Sequence, residues 1–217
     1  MSPFPLRPKQ QALLVVDMQN DFLREGAPQE VAAGREIVPT VARLIEAYRT
    51  AERPVMFTRF LAGPNESLMT IWSPECGPEQ RSCWPGHQRR YLDRSEPLEG
   101  PAVIDELEPR PDEFVVDKYG YSAFHNTVLH DVLTANGCTQ VVVVGVITQI
   151  CVEDTVRHGF HHGFEMVVVP QGVASFDPDL HDAAIRNLAM KYAAVVDVER
   201  VEEAILTPTT TSQTSRD

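Results

Sequence analysis

Six short apolar runs are spaced along the chain, near 12–17, 54–58, 113–117, 140–145, 164–169 and 194–198, each rich in valine and bounded by turn residues. Runs of this length without strict alternation predict strands buried on both faces. Between them lie segments with helical spacing near 37–51, 126–136, 151–162 and 179–192, and Gly137 follows Asn136 where a left-handed helix stop belongs. Near-continuous strands separated by helices predict an α/β chain: a three-layer αβα sandwich on a mostly parallel sheet of about six strands. Strands of such a sheet all point one way, so their carboxyl ends converge on one edge, where α/β proteins place their chemistry.

Two stretches break the alternation. Residues 60–100 carry Trp72, Trp84 and five prolines including Pro64 and Pro97. That is too long for an ordinary connection and too aromatic for a linker, so it predicts an ordered loop over the strand ends, the best candidate for a lid. The tail from Leu206 to Asp217 is rich in Thr and Ser with almost nothing to bury, which predicts disorder there and a single domain over 1–205.

Three of the runs end on chemistry. Asp17 ends the first, Lys118 ends the third, and Cys151 follows Val141 to Val144 across the turn Gly145-Val146-Ile147-Thr148-Gln149-Ile150. A thiol at the first turn of a helix beside a lysine is expected to lean toward thiolate, because helix-end N–H groups and a nearby ammonium both favour the anion. Taken singly, each residue has an ordinary structural reading: an aspartate as helix cap, a lysine in water, a cysteine in the core. Taken together at one sheet edge they read as a Cys-Asp-Lys catalytic constellation.

The motifs Asp17-Met18-Gln19-Asn20-Asp21-Phe22, Lys118 with Tyr121-Ser122-Ala123-Phe124, and Gly145 to Val152 stand in an order that resembles the isochorismatase-like cysteine hydrolases. The superfamily includes nicotinamidases and N-carbamoylsarcosine, ureidoacrylate, biuret and maleamate amidohydrolases, and the resemblance runs from about residue 10 to about residue 200. It implies a Rossmann-like strand order 3-2-1-4-5-6, hydrolysis of a C–N amide, carbamoyl or ureido bond through a thioester on Cys151, Asp17 as acid and base, and Lys118 as an electrostatic partner. It also implies a cis peptide at Val146–Ile147 that turns the Ile147 and Cys151 N–H groups into an oxyanion hole. Phe22, Trp84, Tyr121, Phe124 and Gln149 are the candidate pocket residues; Phe22 can equally pack the core, Phe124 leans toward it, and Trp84 leans slightly toward packing the loop. The competing readings are isochorismatase-type vinyl-ether hydrolysis and a non-catalytic redox or binding module on the same fold.

No metal or cofactor is expected. Nicotinamidases pair a Trp-Pro-x-His-Cys loop with an Asp-x-His after the second strand. Here Trp84-Pro85-Gly86-His87 is followed by Gln88, and Phe60-Leu61-Ala62 stands where the pair should be, leaving His87 short of the three protein ligands a catalytic metal usually has. His158, His161 and His162 lack a further ligand and suit a helix end better. Gly-x-Gly-x-x-Gly is absent, so a dinucleotide has no support.

Charge narrows the partners. With 19 basic and 31 acidic residues the formal charge is −12, which argues against nucleic acid and anionic membrane surfaces. No apolar run approaches a membrane span and the amino terminus lacks a secretory core, so the expectation is a cytoplasmic protein acting on a small molecule. The resemblance implies a homo-oligomer, a dimer or tetramer. Cys76, Cys83, Cys138 and Cys151 have no metal-finger spacing; a Cys76–Cys83 bridge is sterically conceivable but runs against the expected compartment.

Overall fold

The computed structural model describes residues 3–65 and 67–207. Six parallel strands form the central sheet: β1 (Gln11–Val16), β2 (Val55–Phe60), β3 (Phe114–Lys118), β4 (Gln140–Val146), β5 (Glu165–Ala174) and β6 (Ala193–Val195). Their spatial order is β3-β2-β1-β4-β5-β6, a six-stranded α/β sheet of the order the resemblance implied. Chain direction reverses its march across the sheet between β1 and β4, which places a topological switch point at the centre.

The core lies on both faces of β1, which is buried along its whole length. Leu13 and Val15 turn to one face, beneath α1 (Val38–Thr50) and α5 (Val198–Leu206); Ala12, Leu14 and Val16 turn to the other, beneath α2 (Leu129–Ala135), α3 (Glu153–His161) and α4 (Pro178–Lys191). Each buried Leu or Val contributes roughly 1.5–3 kcal/mol of transfer free energy, so the strand that holds the sheet together is also the least able to move.

The structure departs from the sequence reading in three places. The fifth run continues past Pro170 to Ala174, because the β4–β5 register shifts between Val143 and Gly145 and leaves the proline in the irregular stretch, where its missing N–H costs no ladder bond. The sixth strand stops at Val195, and Val198, Val201 and Ile205 instead form the buried stripe of α5. Spacings of three and four residues are a helical face, and of these three residues only Val198 lay in the expected strand 194–198. The helix expected from residue 151 begins as an α-helix at Glu153, after a wider turn over Thr148–Val152. The expected tail falls mostly outside the described residues; of it, Leu206 ends α5 and Thr207 caps it.

Residues 60–100 are ordered by hydrogen bonds to one short segment. Fully buried Asp21 accepts from the Cys83 N–H at 2.7 Å, Arg89 Nε at 2.8 Å and the Tyr91 hydroxyl at 2.7 Å. Gln19 holds both the N–H and the carbonyl of Phe60, at 2.7 and 3.0 Å, and donates to the Pro101 carbonyl. Within the loop, a helix at Leu68–Trp72 leaves Leu68, Ile71 and Trp72 71–79% exposed. The expected lid is therefore moored at its base and apolar at its tip. Cys76 and Cys83 are free thiols in this loop, both buried.

Candidate active site

Asp17 leaves β1 with a left-handed backbone, φ 51°. One strand over, Gly145 sits at φ 117° so close to β1 that an added Cβ would lie 2.0 Å from the Val16 carbonyl oxygen. Only glycine satisfies both demands. This close approach brings the turn after β4 against the end of β1, and the Val146–Ile147 peptide in that turn is cis.

From β3, Lys118 reaches across the end of β2 into the same place. Its Nζ lies 2.7 Å from Asp17 Oδ2, 3.3 Å from Cys151 Sγ and 3.0 Å from the Gly120 carbonyl oxygen, and its ammonium sits 5.2 Å from the Phe60 ring centroid. Lys118 and Asp17 are fully buried and Cys151 is 6% exposed. A buried ion pair persists only with its hydrogen bonds satisfied, and here the remaining acceptor, Asp17 Oδ1, takes a 2.6 Å bond from the Thr58 hydroxyl. Thr58, mid-strand in β2 and fully buried, was not visible from sequence as a site residue, because a strand threonine reads as ordinary β propensity.

The electrostatics lean against one expectation. Burial pushes the Cys151 thiol well above its ordinary range; Lys118 pulls it back, Asp17 pushes it further, and burial wins. Burial opposes the Lys118 ammonium, but Asp17 and Cys151 outweigh it and the net direction is upward. The balance at Cys151 therefore leans toward the neutral thiol, beside a Lys118–Asp17 contact of 2.7 Å. Cys151 sits in the wide turn ahead of α3, so the helix-end argument for the thiolate has less purchase than an adjoining α-helical turn would give it.

A cleft of about 660 Å³ is lined by Tyr121, Gln149 and Ile150, by Trp72 and Ser73 of the loop, and by Glu153, Asp154 and Arg157 of α3; Asp17, Lys118 and Cys151 do not themselves line it, and Ile150 adjoins Cys151 in the chain. Of the five candidate pocket residues, Tyr121 and Gln149 are on the cleft and three lie elsewhere. Phe22 is 4% exposed and packs in the core, 6.5 Å from the Phe60 ring. Phe124 packs among His158, His162 and Phe164. The Trp84 indole donates to the Cys76 carbonyl at 2.6 Å and lies under Arg81, so it braces the loop. The exposed tryptophan on the cleft is Trp72; both tryptophans share the same proline-rich composition, and nothing in the sequence distinguishes wall from brace.

A metal does not fit. Phe60 and Ala62 offer no donor atoms, and among the described residues no group of three or more His, Cys, Asp or Glu side chains is arranged to hold an ion. His158 and His162 stack on each other at 4.8 Å, and the His158 Nδ1 is taken up by the Ser122 hydroxyl at 2.9 Å.

Comparison with known proteins identifies the family and the fold. The isochorismatase domain matches residues 11–200. The chain belongs to the isochorismatase family. It is 31% identical to a ureidoacrylate amidohydrolase of Methylobacterium radiotolerans, covering 95% of this chain and 83% of that one. It is 32% identical to nicotinamidase 3 of Arabidopsis thaliana, covering 90% and 88%. Among solved structures it is similar to a cysteine hydrolase from Pseudomonas syringae pv. phaseolicola, with a TM-score of 0.82, 26% identity and coverage of 94% of this chain and 96% of that one. This isochorismatase-family chain shares its fold with the Pseudomonas hydrolase and spans most of the length of all three, and none of its described helices is long and apolar enough to cross a membrane.

Proposed function

We infer that this chain is an amidohydrolase that cleaves a non-peptide C–N bond of a small molecule through a thioester on Cys151. The observation that carries the reading is the buried contact of Lys118 Nζ with both Asp17 Oδ2 and Cys151 Sγ, at 2.7 and 3.3 Å. The names of its relatives, ureidoacrylate amidohydrolase and nicotinamidase, both describe amide hydrolysis.

In this mechanism the neutral thiol loses its proton to Asp17 as the sulfur attacks the substrate carbonyl carbon, and Lys118 stabilises the negative charge while it resides on sulfur. The tetrahedral oxyanion is received by the N–H groups of Ile147 and Cys151, donors of a kind worth about 2.7–4 kcal/mol each. Asp17 returns the proton to the departing nitrogen, the C–N bond breaks, and a thioester remains. Asp17 then takes a proton from water, the hydroxide adds to the thioester, and the thiol leaves with that proton. A thiol held neutral until substrate arrives suits this cycle, because the charge appears only when the carbonyl is in place to consume it.

The substrate is a small molecule of the amide or ureido class; nicotinamide itself is disfavoured because the chain lacks the side chains that would hold a metal for it. With a charge of −12 a nucleic-acid partner is not part of the reading; a homo-oligomer and a cytoplasmic location remain part of it. The test is ammonia release from ureidoacrylate, biuret, N-carbamoyl amino acids, maleamate and nicotinamide. Turnover should vanish in Cys151→Ala, with the circular dichroism spectrum unchanged, and mass spectrometry of the quenched wild type should find the acyl group on Cys151. Undiminished ammonia release in Cys151→Ala would overturn the thioester mechanism.

A further inference from the structure

The Gln149 side chain lines the cleft two residues before Cys151, and neither its Nε2 nor its Oε1 has a hydrogen-bond partner although both atoms are buried. Apart from Asp17 Oδ2, which is ion-paired with Lys118, these are the buried side-chain polar atoms without a partner among the described residues. Buried amides are nearly always paired, and those left open mark a place where something else completes the bond. A primary amide presents one donor and one acceptor side by side, so its complement is a group with N–H and C=O on one edge: a carboxamide or a urea. A carboxylate is a poor match, because it would set an acceptor against Oε1.

The charges around the cleft point the same way. Arg157 is the only cation among its described lining residues, and it is already spent: Nε and Nη2 bond Glu153 Oε1 at 3.1 and 2.7 Å, Nη1 bonds the Tyr192 hydroxyl at 3.2 Å, and the guanidinium lies 4.5 Å from the Tyr192 ring centroid. Glu153 is held in turn by Asn187 at 2.6 Å. Asp154 is exposed and forms no salt bridge among the described residues, so the charge left facing the cleft is negative. Trp72 supplies an apolar wall opposite.

We propose that Gln149 is the specificity-determining residue of this enzyme, pairing edge to edge with an uncharged carboxamide or urea that the substrate carries beside its scissile carbonyl. The substrate is then a neutral ureido or diamide compound rather than a ureido acid. The proposal rests on the amidohydrolase reading, but binding separates the two.

The experiment titrates Cys151→Ala protein with N-carbamoylglycinamide and N-carbamoylglycine, which differ only in carboxamide against carboxylate. The neutral compound should bind at least about tenfold more tightly, the order of one good hydrogen bond. Adding Gln149→Met, similar in volume but unable to pair, should erase most of that preference without lowering the melting temperature, since no bond within the protein is lost. Gln149→Glu, which keeps the acceptor and adds a charge, should weaken the anion further and serves if Gln149→Met fails to fold. Equal or tighter binding of the carboxylate, binding of neither compound, or a preference untouched by folded Gln149 variants would overturn the proposal. Absence of ammonia release by the wild-type protein across the substrate panel would count against the amidohydrolase reading instead.

Discussion

The Thr58 hydroxyl and Asp17 are bonded twice: Oγ1 donates to Asp17 Oδ1 at 2.6 Å, and the Asp17 N–H donates to the same Oγ1 at 3.2 Å. The second bond fixes where the hydroxyl oxygen sits, and the first leaves Oδ2 as the oxygen that faces Lys118. Thr58 thereby settles which edge of the carboxylate is free to move a proton. Thr58→Val keeps the shape and removes the hydroxyl, so it should cost about 1–3 kcal/mol of stability, the range for stranding a buried acceptor. Turnover should fall about tenfold or more with a smaller change in KM, and the acid limb of the pH–rate profile should shift. An unaltered profile would make Thr58 merely structural.

The reactivity of Cys151 should follow its burial. With the thiol held above its ordinary range, iodoacetamide at neutral pH should alkylate it slowly in the absence of substrate, and the rate should still be rising with pH beyond the ordinary thiol value. Lys118→Met removes the group that pulls the thiol down, so alkylation should slow further. The linkage sign follows: a raised folded value contributes stability that is full below the ordinary thiol pKa and is lost as pH climbs above it. Rapid labelling at pH 7, read by peptide mass mapping, would show a resting thiolate.

Asp21 should govern the loop over the site. Its carboxylate receives Cys83, Arg89 and Tyr91 from three points of the 60–100 segment, and Asp21→Ala strands all three. The expected loss is about 3–5 kcal/mol, typical of breaking a buried pair from one side. Urea denaturation measures it. Limited proteolysis should begin within 60–100 in the variant and not in the parent.

Dialysis against a chelator should leave turnover unchanged, and elemental analysis of untagged protein should find substoichiometric zinc, iron or manganese. The reason lies in Phe60 and Ala62, which give a metal nothing to bind beside His87. A stoichiometric metal whose removal abolishes turnover would return His87, or the His158–His162 pair, to the active site.

Much of the frame was legible because each catalytic candidate ends or follows a short valine-rich run, and parallel strands leave few ways to arrange such ends. What escaped depends on three-dimensional context. Thr58 and Trp72 look in sequence like any strand threonine or loop aromatic. The helix that carries Val198, Val201 and Ile205 was not anticipated; its first residue, Val198, lay in the expected strand 194–198, where β propensity favoured the wrong element. The thiol's electrostatic surroundings were legible only in part: proximity to Lys118 can be inferred from a motif, but the extent of desolvation that pushes the thiol upward cannot.

Lys118 stands at the carboxyl end of β3, an outermost strand whose only sheet neighbour among the described residues is β2, and on β3 Phe114, Val115 and Asp117 are exposed. Such a strand opens more readily than the centre of the sheet. Fraying there would withdraw the ammonium from Asp17 and Cys151 while β1 and β4 stay packed. Warming should therefore silence the enzyme at temperatures where its helices are still intact, and the amides of β3 should exchange with solvent ahead of those in β1. The component most exposed to thermal damage is then the electrostatic partner, and the nucleophile outlasts it.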